Sequence, residues 1–222
     1  MRELPAGDDA VLLDFSGMPD PAGAAALAAR ALRAALDSGE LPLADVVPSA
    51  HAVLVQAPPG AGINALAVQR VVRAAGRPNA AGVPGAAEVA IPVHYDGDDL
   101  AEVAELTDTT PESLVIAHTS LRWRVQFMGF APGFGYLVPD DDPANDPAQV
   151  RLFADLSRRT QSRPTVPTGS VAVAAGYSAV YPHSSPGGWF LLGRTELTMW
   201  DPTASPPAAL TAGTVVRFTC VD

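Results

Sequence analysis

The sequence predicts an α+β chain, with an α/β first half and a β-rich second half. Three observations point there. Up to residue 93, strand-like and helix-like patterns alternate, whereas beyond Ser120 short β-like runs follow one another between Gly, Pro and Ser. Apolar residues make up 48% of the 222 and charged residues 17%, which is enough to build a core and excludes global disorder.

The first half reads element by element. AVLLDF (10–15) alternates as a strand does. Asp20 followed by Pro21 is a helix cap with proline at the first helical position, opening an alanine-rich helix that carries Leu27, Leu32 and Leu36 and stops at Gly39. LADVVPS (43–49) and HAVLVQ (51–56) are two short strands, and PPGAG (58–62) breaks the chain. INALAVQRVVRAAG is a second helix with Ile63, Leu66, Ala67, Val71 and Ala74 on one face, and EVAIPV (88–93) is a further strand. The order strand, helix, strand, strand, helix, strand is the split βαβ, ferredoxin-like unit, with the domain boundary at residue 93.

Two short helices follow: DDLAEVAELTD, with acids at its start, and TPESLVIAHTS, capped by Thr110 with Pro111 next. RWRVQFMGF then places Trp123, Val125 and Phe127 on one strand face. GSVAVAAG, AVYP, GWFLLG, LTMW and TVVRFT are the short runs expected of a sandwich or barrel spanning 94–222. DDDPANDPAQ (140–149) reads as a solvated, disordered segment.

Composition excludes several chemistries. All 14 basic residues are arginine, so the chain offers no lysine for a phosphate loop, a pyridoxal Schiff base or biotin. The net charge of −10 argues against nucleic acid. Cys220 is the single cysteine, and the histidines lack ligand spacing, so no metal site is expected. No apolar run approaches the ~20 residues of a membrane span. The N-terminal stretch has acids before any apolar run, which argues against a secretory signal and for a cytoplasmic protein.

The candidate chemistry lies in three glycine-rich segments: GFAPGFGYL, PTGSVAVAAG and YPHSSPGGWFLLGRT. The first suits a loop at a barrel edge, lining a cleft with glycines for close approach and phenylalanines for an apolar wall. Arg158, Arg159, Arg163 and Arg194 are candidates for holding a carboxylate or phosphate. Tyr136 and Tyr181 are candidates for orienting a substrate. Spacing alone assembles no triad or dyad.

Taken in order, FMGFAPGFGYL, SRRTQSRPTVPTGSVAVAAGYSAVYPHSSPGGWFLLGRT, WDP and AGTVVRFT resemble the family of the 5-oxoprolinase B subunit. That family also holds allophanate hydrolase subunit 1 and KipI-type kinase inhibitors. The resemblance covers nearly the whole chain. It implies an N-terminal ferredoxin-like domain (1–93) and a C-terminal cyclophilin-like β-barrel (94–222).

The resemblance also implies one component of a heteromeric, ATP-dependent hydrolase that opens 5-oxo-L-proline to L-glutamate and is inactive alone. Its partners would be a larger homologous C subunit and an A subunit, with ATP held by the assembly. A sensor-kinase inhibitor and an allophanate or urea-metabolism component are the alternatives. The family's positions fall on Gly129, Phe130, Pro132, Gly133 and Phe134, then Arg163, Pro167, Gly169 and Ser170. A third set comprises Tyr181, Pro182, Ser185, Pro186, Gly187, Gly188, Trp189, Gly193, Arg194 and Thr195. It implies that Arg163 and Arg194 hold an anionic group and that His118 and Ser185 hydrogen-bond the reacting amide. Three departures stand out: Gly135 replaces a usual proline, Ala174–Ala175 a usual glycine pair, and HYDGDD a longer glycine-rich stretch.

Overall fold

Residues 1–76 and 88–221 are described by a computed structural model. The chain divides into two compact units, Met1–Gly82 and Val83–Asp222.

The first unit holds β1 (Arg2–Pro5), β2 (Ala10–Asp14), α1 (Pro21–Asp37), β3 (Asp45–Pro48), β4 (Ala52–Gln56) and α2 (Ala65–Ala74). Its sheet runs β1-β2-β4-β3, antiparallel throughout. Asp20 caps α1 by accepting from the Gly23 N–H at 2.8 Å, and Asn64 caps α2 by accepting from Ala67 at 3.0 Å. The buried face of α1 is mostly alanine (Ala24, Ala25, Ala28, Ala29, Ala35) around Leu32. Small side chains let the helix sit close to Leu13, Val46, Val53 and Val55. On α2 the buried residues are Ala67 and Val68, while Leu66, expected on the inner face, is exposed.

The strand at 88–93 departs from expectation. β5 (Glu88–Val93) pairs in parallel with β13 (Val215–Cys220) in the second unit, and β1 takes the sheet edge beside β2. Ile91 and Val93 are fully buried with Val216 and Phe218, so the core of the second unit claims this strand. The boundary therefore precedes residue 93.

The second unit continues with α3 (Leu100–Leu106), α4 (Pro111–Ser120), β6 (Trp123–Met128), β7 (Gly135–Pro139), α5 (Pro147–Ala154), β8 (Arg163–Val166), β9 (Ser170–Ala174), β10 (Tyr177–Val180), β11 (Ser185–Gly187) and β12 (Phe190–Arg194). A seven-stranded sheet runs β12-β9-β10-β7-β6-β13-β5, and β8 and β11 form a separate ribbon. The two edges meet where His94 and Arg194 exchange backbone hydrogen bonds of 2.9 Å each, so the sheet is nearly a closed barrel.

The closure explains two glycines. A Cβ on Gly193 would overlap the His94 carbonyl oxygen, and one on Gly97 would overlap that of Leu191. Residues 94–99 can cross β12 only because both chains lack a side chain at the crossing.

LTMW forms no strand, only an isolated bridge from Trp200 to Ala208. The segment 140–149 is ordered rather than disordered. Buried Asn145 accepts from the Arg122 N–H and donates to the carbonyls of Arg122 and Asp140. Arg122 and Arg124 pair with Asp142 and Asp140 at 2.7 and 2.6 Å, and Asp146 with Pro147 starts α5. Among the described residues no helix is long and apolar enough to cross a membrane.

Candidate functional site

His118 lies in the core of the second unit. It sits on α4, fully buried, stacked on Phe218 at 4.3 Å between ring centroids. Its Nδ1 is 2.7 Å from the Tyr95 hydroxyl and its Nε2 is 2.9 Å from Ser178 Oγ. Burial pushes the imidazole down to about 3, so it is neutral at physiological pH with both nitrogens engaged. The role implied for His118, hydrogen bonding to a reacting amide, is corrected to that of a core group: the side chain that ends α4 points inward.

The glycine-rich segment 127–137 is the hairpin between β6 and β7. Gly129 N–H donates to Phe134 carbonyl at 3.1 Å, and Gly133 is buried against Met199 and Trp200, while Pro132 is exposed. Phe134 is 2% exposed and contacts Tyr136, Tyr181 and Trp189 edge-on, with centroids 5.0, 5.3 and 5.7 Å away. Phe130 is held at φ 66° and is 60% exposed, 5.1 Å from Phe134. Bulky residues rarely adopt that backbone region, and such strain clusters at functional positions. Tyr177 stacks beside Trp189 and donates to Gln126 at 3.0 Å. The loop expected to line a cleft is thus a turn, with Phe130 projecting from an aromatic shelf.

The other predicted residues border this shelf. Ser170 faces Arg194 across β9 and β12, and its carbonyl accepts from the Tyr181 N–H at 2.9 Å. On the β8–β11 ribbon, Arg163 faces Gly187 and Ser185 faces Val166. The Tyr181 hydroxyl occupies the space where a Gly187 side chain would stand. Gly188 accepts from the Arg159 N–H at 3.0 Å, and Ser162 Oγ lies 2.9 Å from where its Cβ would be. Ser185 Oγ is sealed from solvent and has no hydrogen-bond partner among the described residues.

Sequence patterning gives no sign of Asp99 as a site residue. It is one acid among several at the start of α3, yet its carboxylate does not cap that helix. Its Oδ1 accepts from Arg159 and Arg163 at 2.6 Å each, and its Oδ2 accepts from the Leu191 N–H at 2.7 Å. The hydrogen bond to Asp99 holds the Arg163 guanidinium above its ordinary value. Arg159 also reaches Glu102 at 3.1 Å, and Arg194 pairs with Asp96 at 3.0 Å and Glu196 at 3.3 Å. The two arginines expected to hold an anion therefore already face carboxylates. The nearest sequence signal is the crowding of acids in HYDGDD, set against the arginines of SRRTQSR, and their pairing needs the third dimension.

A hollow of about 430 Å³ lies elsewhere in this unit, lined by Leu106, Arg151, Leu152 and Asp155 among others. It gathers none of the predicted groups. Among the described residues no cluster of His, Cys, Asp or Glu could hold a metal ion.

The fold and its shelf define a two-unit protein whose second unit is a nearly closed barrel bearing an aromatic, arginine-bordered face. Residues 1–210 match the family described as Carboxyltransferase domain, subdomain C and D. The chain belongs to that family.

It is 40% identical over 133 residues to the B subunit of 5-oxoprolinase from Bacillus subtilis, covering 59% of this chain and 51% of that one. It is 38% identical to the protein of the same name from Escherichia coli O157:H7, covering 59% and 56%. The matches thus span little more than half of these relatives. Among solved structures, TTHA0988 aligns with a TM-score of 0.75 at 32% identity, over 96% of this chain and 40% of its own. Kluyveromyces lactis urea amidolyase aligns at 0.75 and 19% identity, over 99% of this chain and 15% of its own, a likeness of fold alone.

Proposed function

We propose that this chain is the B subunit of a heteromeric, ATP-dependent 5-oxoprolinase, which opens the lactam of 5-oxo-L-proline to L-glutamate in the cytoplasm. The observation that carries this reading is the 40% identity to the Bacillus subtilis 5-oxoprolinase B subunit. In this reading the first unit is a ferredoxin-like domain, and the second a cyclophilin-like barrel whose shelf meets a larger homologous C subunit, with an A subunit completing the assembly. The lactam amide is a poor electrophile, so activation by phosphoryl transfer suits the chemistry.

The residues present do not fit a triphosphate. The chain has no lysine, and Arg159, Arg163 and Arg194 are each bound to carboxylates. ATP is therefore assigned to the partner proteins, and this chain contributes an aromatic wall and hydrogen-bond donors to a shared site. The test is reconstitution with the A and C subunits: glutamate and ADP formed together from 5-oxo-L-proline support the reading. No turnover in the full mixture with the natural partners removes it.

A further inference from the structure

Arg158 differs from the arginines around it. Arg159, Arg163 and Arg194 are paired with Asp99, Glu102, Asp96 and Glu196. Arg158 is exposed and has no acidic partner among the described residues. The loop that carries it runs along the shelf: its neighbour Arg159 donates to the Gly188 carbonyl at 3.0 Å, and Ser162 abuts the same glycine. Trp189 follows directly.

The shelf also presents unused polar tips. The Tyr136 and Tyr181 hydroxyls and the Trp189 indole N–H make no hydrogen bond to any described residue, and none of the three atoms is sealed from solvent, so the tips of otherwise buried rings are open to a ligand. Burial raises both phenols above their ordinary value, and the positive charge of Arg158 works against that rise in each. Phe130 stands edge-on to Tyr181 at 6.2 Å and projects past it into solvent.

We infer that Arg158, with the polar tips of Tyr136, Tyr181 and Trp189, forms a subsite for a small carboxylate whose ring lies on the aromatic shelf. The planar guanidinium fork matches a carboxylate, and the neutral donors serve its second lone pairs or an adjacent carbonyl. A single cation with neutral donors suits a monoanion better than a polyphosphate. The identity of the ligand, 5-oxo-L-proline, rests on the 5-oxoprolinase reading. The subsite itself rests on the arginine and the unused donors.

The experiment compares wild type, Arg158→Gln and Arg158→Lys in the reconstituted mixture with the A and C subunits. It also titrates each full-length chain with 5-oxo-L-proline and with 2-pyrrolidinone, the same lactam ring without a carboxylate, reading tryptophan fluorescence. Arg158→Gln is expected to raise KM for 5-oxo-L-proline about tenfold or more, the effect of losing one charge-assisted hydrogen-bonded pair, with kcat little changed. Arg158→Lys is expected to recover part of the loss. Because Arg158 is exposed and has no ionic partner among the described residues, the unfolding midpoint should not move. Turnover with an unchanged KM in Arg158→Gln overturns the subsite and leaves the oxoprolinase reading standing. If the mixture does not turn over, that reading falls and the titration decides the subsite. A fluorescence change that needs the carboxylate and is lost in Arg158→Gln sustains it, and equal responses to the two lactams, or none, overturn it.

Discussion

Asp99 is the residue on which the shelf side of the barrel depends, and its removal has a calculable cost. Its side chain is 3% exposed and accepts three hydrogen bonds, two from guanidiniums and one from the Leu191 N–H in β12. Asp99→Ala leaves two cations facing each other and one strand amide unsatisfied. Breaking a buried ion pair from one side costs about 3–5 kcal/mol. Here the Arg159 and Arg163 side chains keep 24% and 21% of their exposure, so water partly rehydrates them. The expected loss is therefore at the lower end, about 3 kcal/mol. Asp99→Asn keeps an acceptor for Leu191 but not the charge, and should cost about 1.5–2 kcal/mol.

Urea unfolding followed by tryptophan fluorescence is the appropriate assay, because all three tryptophans (Trp123, Trp189, Trp200) belong to the second unit. At the usual slopes of about 1–3 kcal/mol per molar urea, Asp99→Ala should shift the midpoint down by at least about 1 M. A triple change, Asp99→Leu with Arg159→Met and Arg163→Met, should recover most of the loss, because an apolar replacement of a whole ionic cluster is often neutral. If Asp99→Ala unfolds within about 1 kcal/mol of wild type, the carboxylate does not hold the two arginines against β12, and the account of the crossing segment 94–99 is wrong.

Three further outcomes are expected. His118 is neutral when folded, with its value depressed to about 3, and takes its ordinary 6.5 when unfolded. Its contribution to stability is therefore complete above pH 6.5 and is lost as pH falls from 6.5 towards 3, at up to about 1.4 kcal/mol per pH unit. Denaturation midpoints at pH 7.5, 5.5 and 4.5 should fall less steeply in His118→Gln than in wild type, and parallel curves would contradict the burial argument. Gly193→Ala places a methyl group on the His94 carbonyl oxygen, a backbone atom that cannot step aside, so it should lower stability by about 1–3 kcal/mol in the same urea assay, and an unchanged midpoint would mean that the barrel closes differently. Ala175 sits at φ 51° in the turn joining β9 to β10, so Ala175→Gly should raise stability by about 1 kcal/mol, read as a Tm increase of about 2–4 °C, and a decrease would show that the strain is compensated.

Much of the fold was legible because its signals are local. Asp20–Pro21 and Thr110–Pro111 announced their helices, and the alternation of Trp123, Val125 and Phe127 announced β6, with all three residues buried. What failed was partner choice. EVAIPV is a strand by pattern, but nothing local says whether it completes a sheet with β2 or lies parallel to β13, 127 residues later in the Glu88↔Val215 register. RELP was too short and polar to suggest β1. The ordering of 140–149 was hidden for another reason: Asp140 and Asp142 look solvated until Arg124 and Arg122 of the neighbouring strand neutralise them.

What the sequence shows of the candidate site is which residue types are present, and not which groups face them. Aromatics of distant segments do pack together, with Phe134 edge-on to Tyr181 and Trp189. The conspicuous arginines, Arg163 and Arg194, turn out to be paired with Asp99, Asp96 and Glu196, which lie in HYDGDD or two residues beyond Arg194. Charge is visible in a sequence, but its compensation is not, because compensation depends on which loop crosses which strand. An arginine that keeps its positive charge available is therefore identified by the absence of a nearby acid in space, and within SRRTQSR that is Arg158, the one arginine of the segment with no carboxylate beside it among the described residues. Phe130 has the same character: a positive φ and an exposed ring on a turn are not written in the local pattern GFAPGF, and they follow from its edge-on packing against Phe134 and Tyr181.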